Sequence, residues 1–358
     1  MFKLITQWLN KHLSDPQIVI LSFLIVIGSA LIFTLGNMLA PVFCAIIIAY
    51  LLEGFVNIVE RMKIPRIIAV ILVFAVFMTI LLILTVVLLP LLSQQVGQFL
   101  QQLPSMIATG QTELMRLPEK YPDILSEQQI KQVLDNLGNE LSNLIQQLFS
   151  LSMASVRGAI SILIYLVLVP LLVFFFLKDK KKLILWFTNL LPEESELAYR
   201  VWQEVNIQTG NYIRGKIYEI CIVWSVTYIT FILFGLQFSM LLAFFVGLSV
   251  IVPYIGATVM FVPVALISYF QWGWSSEFAY VMLALSIIQL LDGNLLVPLL
   301  LSEVVNLHPV AIIVAVLVFG GLFGIVGLFF AIPLATLVHS IMKAWTSHQF
   351  KGDKQSQG

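Results

Sequence analysis

The residues best placed to do chemistry lie in an apolar stretch near the C-terminus, where Gln289 and Asp292 stand in the run QLLDGNLLVPLLL. A carboxylate among leucines costs roughly 2.5 kcal/mol or more at membrane depth, so it demands a cation, a proton, a hydrogen-bond donor or a water-lined cavity. Gln289, one turn before Asp292, shares its helical face. Gly293 weakens the helix beside the acid and Pro298 removes a backbone donor one turn later. Backbone freed at that depth is tolerated only where it faces protein or water. Two roles fit Asp292: holding a proton, a cation or a polar solute, or tying down backbone groups released at Gly293. Asn294 points away on a regular helix and joins the site only if the helix unwinds.

Other residues could line a path to this acid. Pro253-Tyr254-Ile255-Gly256 has the makings of a discontinuous helix, with Tyr254 offering a hydroxyl to a transport pathway, or of a plain proline kink. Arg214 and Lys216 either anchor a span at the headgroups or form an inner gate with Glu219 or Glu53. Glu303 and His308 are placed near the outer surface, where they could take up protons. Gly320, Gly321, Gly324 and Gly327 give the small-residue spacing that lets helix backbones approach closely. Cys44 and Cys221 lie far apart in apolar runs and read as small buried hydrophobes. The four histidines include no ligand-spaced pair, so neither a metal nor a cofactor is expected. A phosphate-binding G-x-x-x-x-G-K-[ST] loop, H-E-x-x-H and G-x-S-x-G are all missing from the sequence, and no catalytic residues are assigned.

The elements that must position these residues follow from composition. The 358 residues are 60% hydrophobic and 11% charged, with a mean hydropathy of +0.99, against about half and a quarter in soluble domains. The chain is therefore expected to be an all-α integral membrane protein. It should hold about eight transmembrane helices, one or two of them broken, plus a small α-helical extracytoplasmic domain. Residues 1–92 are read as an interfacial helix over 2–13 and spans 1–3, at 17–36, 39–56 and 67–92. A tight Gly36-Asn37 turn separates the first two spans. The first apolar run is too long for a cleavable signal peptide and lacks its processing site. Residues 93–155 form the extracytoplasmic domain, with six acids against three bases over 93–155. Within it, Ser126 and Gln129 make a capping box, and Ile130, Leu134, Leu137, Leu141, Leu144 and Leu148 make a seam suited to another helix. Residues 156–216 hold span 4 and a polar segment opened by Lys178-Asp179-Lys180-Lys181-Lys182. Residues 217–342 hold spans 5–8 with the transport pathway, span 6 being broken near Pro253, and 343–358 form a polar tail. Lys and Arg in the short flanks place the N- and C-termini in the cytoplasm of a bacterial inner membrane.

Five motifs in order, Asn211-Tyr212-Ile213-Arg214-Gly215-Lys216, Pro253-Tyr254-Ile255-Gly256, Asp292-Gly293-Asn294 with Pro298, Leu307-His308-Pro309 and the run from Gly320-Gly321 to Pro333, resemble those of the autoinducer-2 exporter family, in its permease branch. The likeness covers essentially the whole chain. It implies a many-span helical permease that forms homo-oligomers. Export of a small polar solute such as the autoinducer-2 signal, coupled to H+ or Na+, and sodium/proton antiport are both implied. The family often has Glu where this chain has Asp292. A channel-like or scaffolding oligomer, docking through the 126–150 helix, is the competing reading. Lipid bilayer, solute and coupling ion are the expected partners, and nucleic acid is not.

Overall fold

The computed structural model describes residues 16–116, 155–189, 196–253, 255–301 and 308–355. The interfacial helix expected over 2–13, the seam helix over 126–150, Tyr254 and Glu303 lie outside these residues. Among the described residues the structure is all helical, and five helices are long and apolar enough to cross a membrane.

The first helix, α1 (Pro16–Arg61), is one unbroken rod of 46 residues. The turn expected at Gly36-Asn37 is not there. Glycine inside a helix costs only about 1 kcal/mol, and neither residue is forced out of the helical region, so the two predicted spans run on as one. A left-handed Lys63 (φ 65°) closes α1, and Arg66 then opens a second rod. This rod comprises α2 (Arg66–Ile83), a π-helical turn (Leu84–Leu88) and α3 (Leu89–Met115). The first part of the expected extracytoplasmic domain is thus a direct extension of span 3. α4 (Ser155–Lys178) matches span 4 and is followed by the short α5 (Lys180–Thr188).

α1, α2 and α4 share a core built from Ala45, Ala49, Val56, Ala69, Val70, Val173 and Leu177. At one end of this core an ion-pair cluster binds the basic flanks together. Glu53 accepts from Arg66 (3.1 Å) and from Lys180 (3.0 Å), and Glu60 takes the other Arg66 nitrogen at 3.2 Å. Arg66 also donates to the Leu177 carbonyl at 2.8 Å, satisfying an acceptor left over at the end of α4.

The second half is built on α6 (Glu196–Leu233), which absorbs the polar segment before span 5. The chain reverses at Gly235 (φ 71°) into α7 (Ser239–Ser249), reverses again near Pro253 into α8 (Ile255–Trp272), and reverses at Gly273 (φ 65°) into α9 (Ser276–Leu291). The expected break in span 6 is therefore a helical hairpin. Its close approach requires glycine, since a Cβ on Gly256 would lie 1.7 Å from the Ser249 carbonyl oxygen. Gln271 pins the opposite end, accepting from the Gln237 amide and donating to the Gly235 carbonyl, both at 2.8 Å. α3 crosses here: Gln95 accepts from the Leu241 amide near the start of α7, and Phe99 packs edge-on against Phe238. α6 to α9 enclose Val223, Phe231, Leu242, Val246, Val264 and Leu285.

α9 continues through a π turn (Asp292–Leu296) into α10 (Val297–Leu301). Both π turns end two residues before a proline, Pro90 and Pro298. The ring of a helical proline crowds the carbonyl four residues back, and the wider turn relieves that contact. The last element, α11 (Pro309–Gln355), is not the single span expected. It bends at Gly324 (φ 60°, ψ −140°), and the halves fold back on each other. A Cβ on Gly327 would meet the Phe319 carbonyl oxygen at 1.9 Å, and one on Gly320 would meet Leu328 at 2.5 Å. The close-packing role expected of these glycines holds at 320 and 327, but within one hairpin, with Gly324 as its turn. The tail expected from 343 continues the helix to Gln355.

Gly327→Ala is expected to lower the melting midpoint in detergent, through an overpacking cost of about 1–3 kcal/mol. Gly321→Ala, whose Cβ would meet nothing within 4 Å, should leave it unchanged.

Candidate functional site

One face of α6 is polar where it is most deeply buried. Tyr212, Lys216 and Glu219 follow at i, i+4 and i+7, and Thr227 extends the same stripe. Tyr212 is 0% exposed, Lys216 2% and Glu219 1%. The helix packs this tightly because Gly215 has no side chain: a Cβ there would lie 2.7 Å from the Leu300 carbonyl oxygen.

The Lys216 ammonium has three donors, and each has an acceptor. Two go to the Glu219 carboxylate at 2.9 and 2.8 Å, and the third to the Val250 carbonyl at 2.9 Å. Val250 is the last residue before the α7–α8 reversal, where helix carbonyls lack intrahelical partners. The cation therefore joins a carboxylate on its own helix to the breakpoint of the hairpin.

Asp292 comes from the neighbouring π turn and is 9% exposed. Its π turn packs against α6, the helix that carries Lys216 and Glu219. Its Oδ1 has no partner among the described residues, nor have Gln289 Oε1 and Nε2 or the Tyr212 hydroxyl. Buried polar groups are nearly always hydrogen-bonded, so this concentration of unmet capacity is the feature that marks the site. With Lys216 fully engaged, the unmet groups are two acceptors, Asp292 Oδ1 and Gln289 Oε1, one donor, Gln289 Nε2, and the Tyr212 hydroxyl, which is both. With both acids ionised, the three charged side chains sum to −1.

The predicted site residues divide accordingly. Lys216 and Glu219 pair, Asp292 lies on the π turn packed against their helix with Gln289 one turn before it, and Pro253 and Gly256 shape the breakpoint that Lys216 touches. Asn294 does not join: the helix widens into a π turn rather than unwinding, and Asn294 is exposed with Nδ2 donating to the Leu290 carbonyl at 2.8 Å. Gly293 is exposed too and lines nothing. The proposed inner gate is split. Arg214 donates to Asn211 at 2.6 Å and packs beside Gly54 of α1, while Glu53 belongs to the Arg66–Lys180 cluster. His308 is exposed, its Nδ1 accepting from the Val310 amide at the start of α11. Tyr212 was not singled out from sequence, although its spacing to Lys216 and Glu219 is the signal that would have found it. Cys44 and Cys221 are free thiols, and no group of metal-ligating side chains occurs among the described residues.

A family model described as AI-2E family transporter matches residues 20–347. The chain belongs to the AI-2E transporter family. It is 42% identical to "Putative permease PerM" of Escherichia coli K12, over 98% of this chain and 99% of that protein. In Bacillus subtilis it is 26% identical to "Putative transport protein YrrI", over 84% of each chain. A second Bacillus subtilis relative, "Putative transport protein YueF", is 24% identical over 87% of this chain and 84% of its own length. As a member of this family the chain is a multi-pass membrane protein of the transporter and permease class, and the autoinducer-2 exporter resemblance holds.

Lys216→Met alone strands Glu219 as a buried unpaired charge, at a cost of about 3–5 kcal/mol, and should reduce the yield of monodisperse protein. The neutral pair Lys216→Met with Glu219→Gln is expected to restore it, as read by size-exclusion profile and melting midpoint.

Proposed function

We propose that this chain is a secondary permease of the bacterial inner membrane that moves a small polar solute outward, coupled to a proton or sodium ion at Asp292. The observation that carries this reading is the buried Asp292, one carboxylate oxygen unpartnered, on a π turn packed against the helix of the buried Lys216–Glu219 pair. An intramembrane acid with unmet acceptors is costly unless a cation, a proton or a donor-rich solute completes it. Tyr212 and Gln289 supply the neutral donors and acceptors that a polyhydroxy solute needs. An autoinducer-2-like signal is the cargo that the family relationship favours. Gly256, against the Ser249 carbonyl, and Pro253 form the breakpoint around which access would alternate.

Sidedness follows from charge. The Glu53–Arg66–Lys180 cluster brings the 57–66 loop and the Lys178–Lys182 run to one end of the fold, and that end is assigned to the cytoplasm. Sodium/proton antiport, with the cation itself as cargo, is the second reading. It is favoured by the full use of the Lys216 donors, which leaves a site able to accept positive charge but with no free cation to hold an anion. A homo-oligomer is proposed on the family resemblance.

In proteoliposomes under an imposed proton or sodium gradient, Asp292→Asn is expected to lose at least about tenfold of the gradient-driven flux while keeping its melting midpoint. Undiminished coupled flux in that variant would overturn the assignment of Asp292. The two readings separate on whether dissipating a sodium gradient needs an added organic solute.

A further inference from the structure

We infer that Lys216 is the positioning residue that reports the charge on Asp292 to the α7–α8 breakpoint, by exchanging its third hydrogen bond between the Val250 carbonyl and the Asp292 carboxylate. The inference rests on Asp292 being the coupling site, and it adds how occupancy of that site reaches the moving part.

The argument is one of charge and bond counting. The cluster holds one cation and two acids, all three buried. When Asp292 carries a proton or a bound sodium ion, the remaining charges are the Lys216–Glu219 pair alone, and the ammonium is free to donate to Val250. In the structure both Glu219 oxygens and the Val250 carbonyl lie on the ammonium at 2.8–2.9 Å, and Asp292 Oδ1 is unpartnered. When Asp292 is ionised and unloaded, a second carboxylate competes for the same ammonium. A charge-assisted bond to a carboxylate is roughly twice as strong as one between neutral groups. Glu219 is three residues along the same helix and holds its share through either oxygen. The neutral acceptor, Val250, is therefore the one given up.

Losing that bond matters because of where Val250 sits. The segment from Val250 to Gly256 is held by short-range bonds: Ile251 to Leu248 and Val252 to Ser249, both at 3.1 Å, and Gly256 to Val252 at 3.0 Å. Lys216 is the side-chain tie from this reversal back to α6. Among the described residues the ionisable groups on the Lys216 face are Tyr212 and Glu219 on α6 and Asp292 from the π turn. α7 and α10 carry none, Tyr269 of α8 lies at its far end, and α1, α9 and α11, which also pack on α6, carry Tyr50 and Glu53, Glu277 and Tyr280, and His339. Asp292 is the acid here that does not already hold the ammonium, so its variant separates its response from that of Glu219.

Hydrogen–deuterium exchange of purified protein, corrected for the intrinsic pH dependence, tests this without a transport assay. In wild type, the amides of Ile251, Val252 and Gly256 should exchange at least about tenfold faster at high pH without sodium than at low pH or with sodium added. Asp292→Asn should be protected in every condition. The folded Lys216→Met/Glu219→Gln pair should be unprotected in every condition. Wild-type protection indifferent to pH and sodium, or a pH response that survives in Asp292→Asn, would overturn the inference. So would full protection in the double variant, which would leave the Lys216–Val250 bond a static tie. If flux instead proves uncoupled in wild type while exchange still follows Asp292, the transport reading fails and the linkage stands.

Discussion

A lysine ammonium buried among packed helices constrains the second half of this protein. Lys216 lies on the buried face of a long helix, and its charge is tolerated because two Glu219 oxygens and a backbone carbonyl receive it. Each acceptor then fixes something else. Glu219 must stay on the same face of α6, Val250 must sit at a helix end, and the chain must reverse just after it. That reversal needs Gly256 against Ser249, and the packing of α10 against α6 needs Gly215 against Leu300. Asp292 enters this arrangement from a π turn, a geometry often found at functional sites because it redirects one side chain within an otherwise regular helix.

The same need for partners explains why the fold relies on hairpins and caps. Helix ends leave backbone groups that need partners, within the bilayer or at its edge. Arg66 closes the end of α4, Gln95 supplies an acceptor at the start of α7, and Gln271 serves both the Gln237 amide and the Gly235 carbonyl. Hydroxyls follow suit: Thr79, Thr85, Thr230 and Ser268 donate to carbonyls of their own helices. Unpartnered atoms remain on Trp224, Thr227, Thr336 and Ser340 as well as on Gln289 and Tyr212, but among the described residues the one carboxylate oxygen so left is Asp292 Oδ1.

What could be read from sequence was what depends on composition and local chemistry. Asp292 was legible because an acid among leucines has few explanations, and the break near Pro253 because proline and glycine act on the chain locally. Lys216 and Glu219 were harder. Beside Arg214, at the polar edge of an apolar run, they look like headgroup anchors, and only the neighbouring helices show that α6 carries them inward. Gly36-Asn37 misled because a pair suited to a turn is also tolerated in a helix when nothing demands the turn. Gly324 misled in the opposite sense. A glycine in an apolar run reads as packing, and its left-handed conformation depends on contacts between residues such as Phe319 and Gly327 that periodicity does not register.

The rod made by α2, the π turn and α3 touches both halves. Ala69, Val70 and Val73 are set into the first core, while Leu92, Phe99 and Met106 lie on the second. A continuous helix anchored at both ends is a ruler: it fixes the spacing between two bodies that otherwise meet mainly along α1 and α6. The graduation that can slip is the exposed Leu84–Leu88 turn, which buries no residue and lies between the anchor points. Any shift of the α6–α9 body relative to the first core must be absorbed there or be felt at Arg66, where the ion pairs to Glu53 and Glu60 hold the rod's foot.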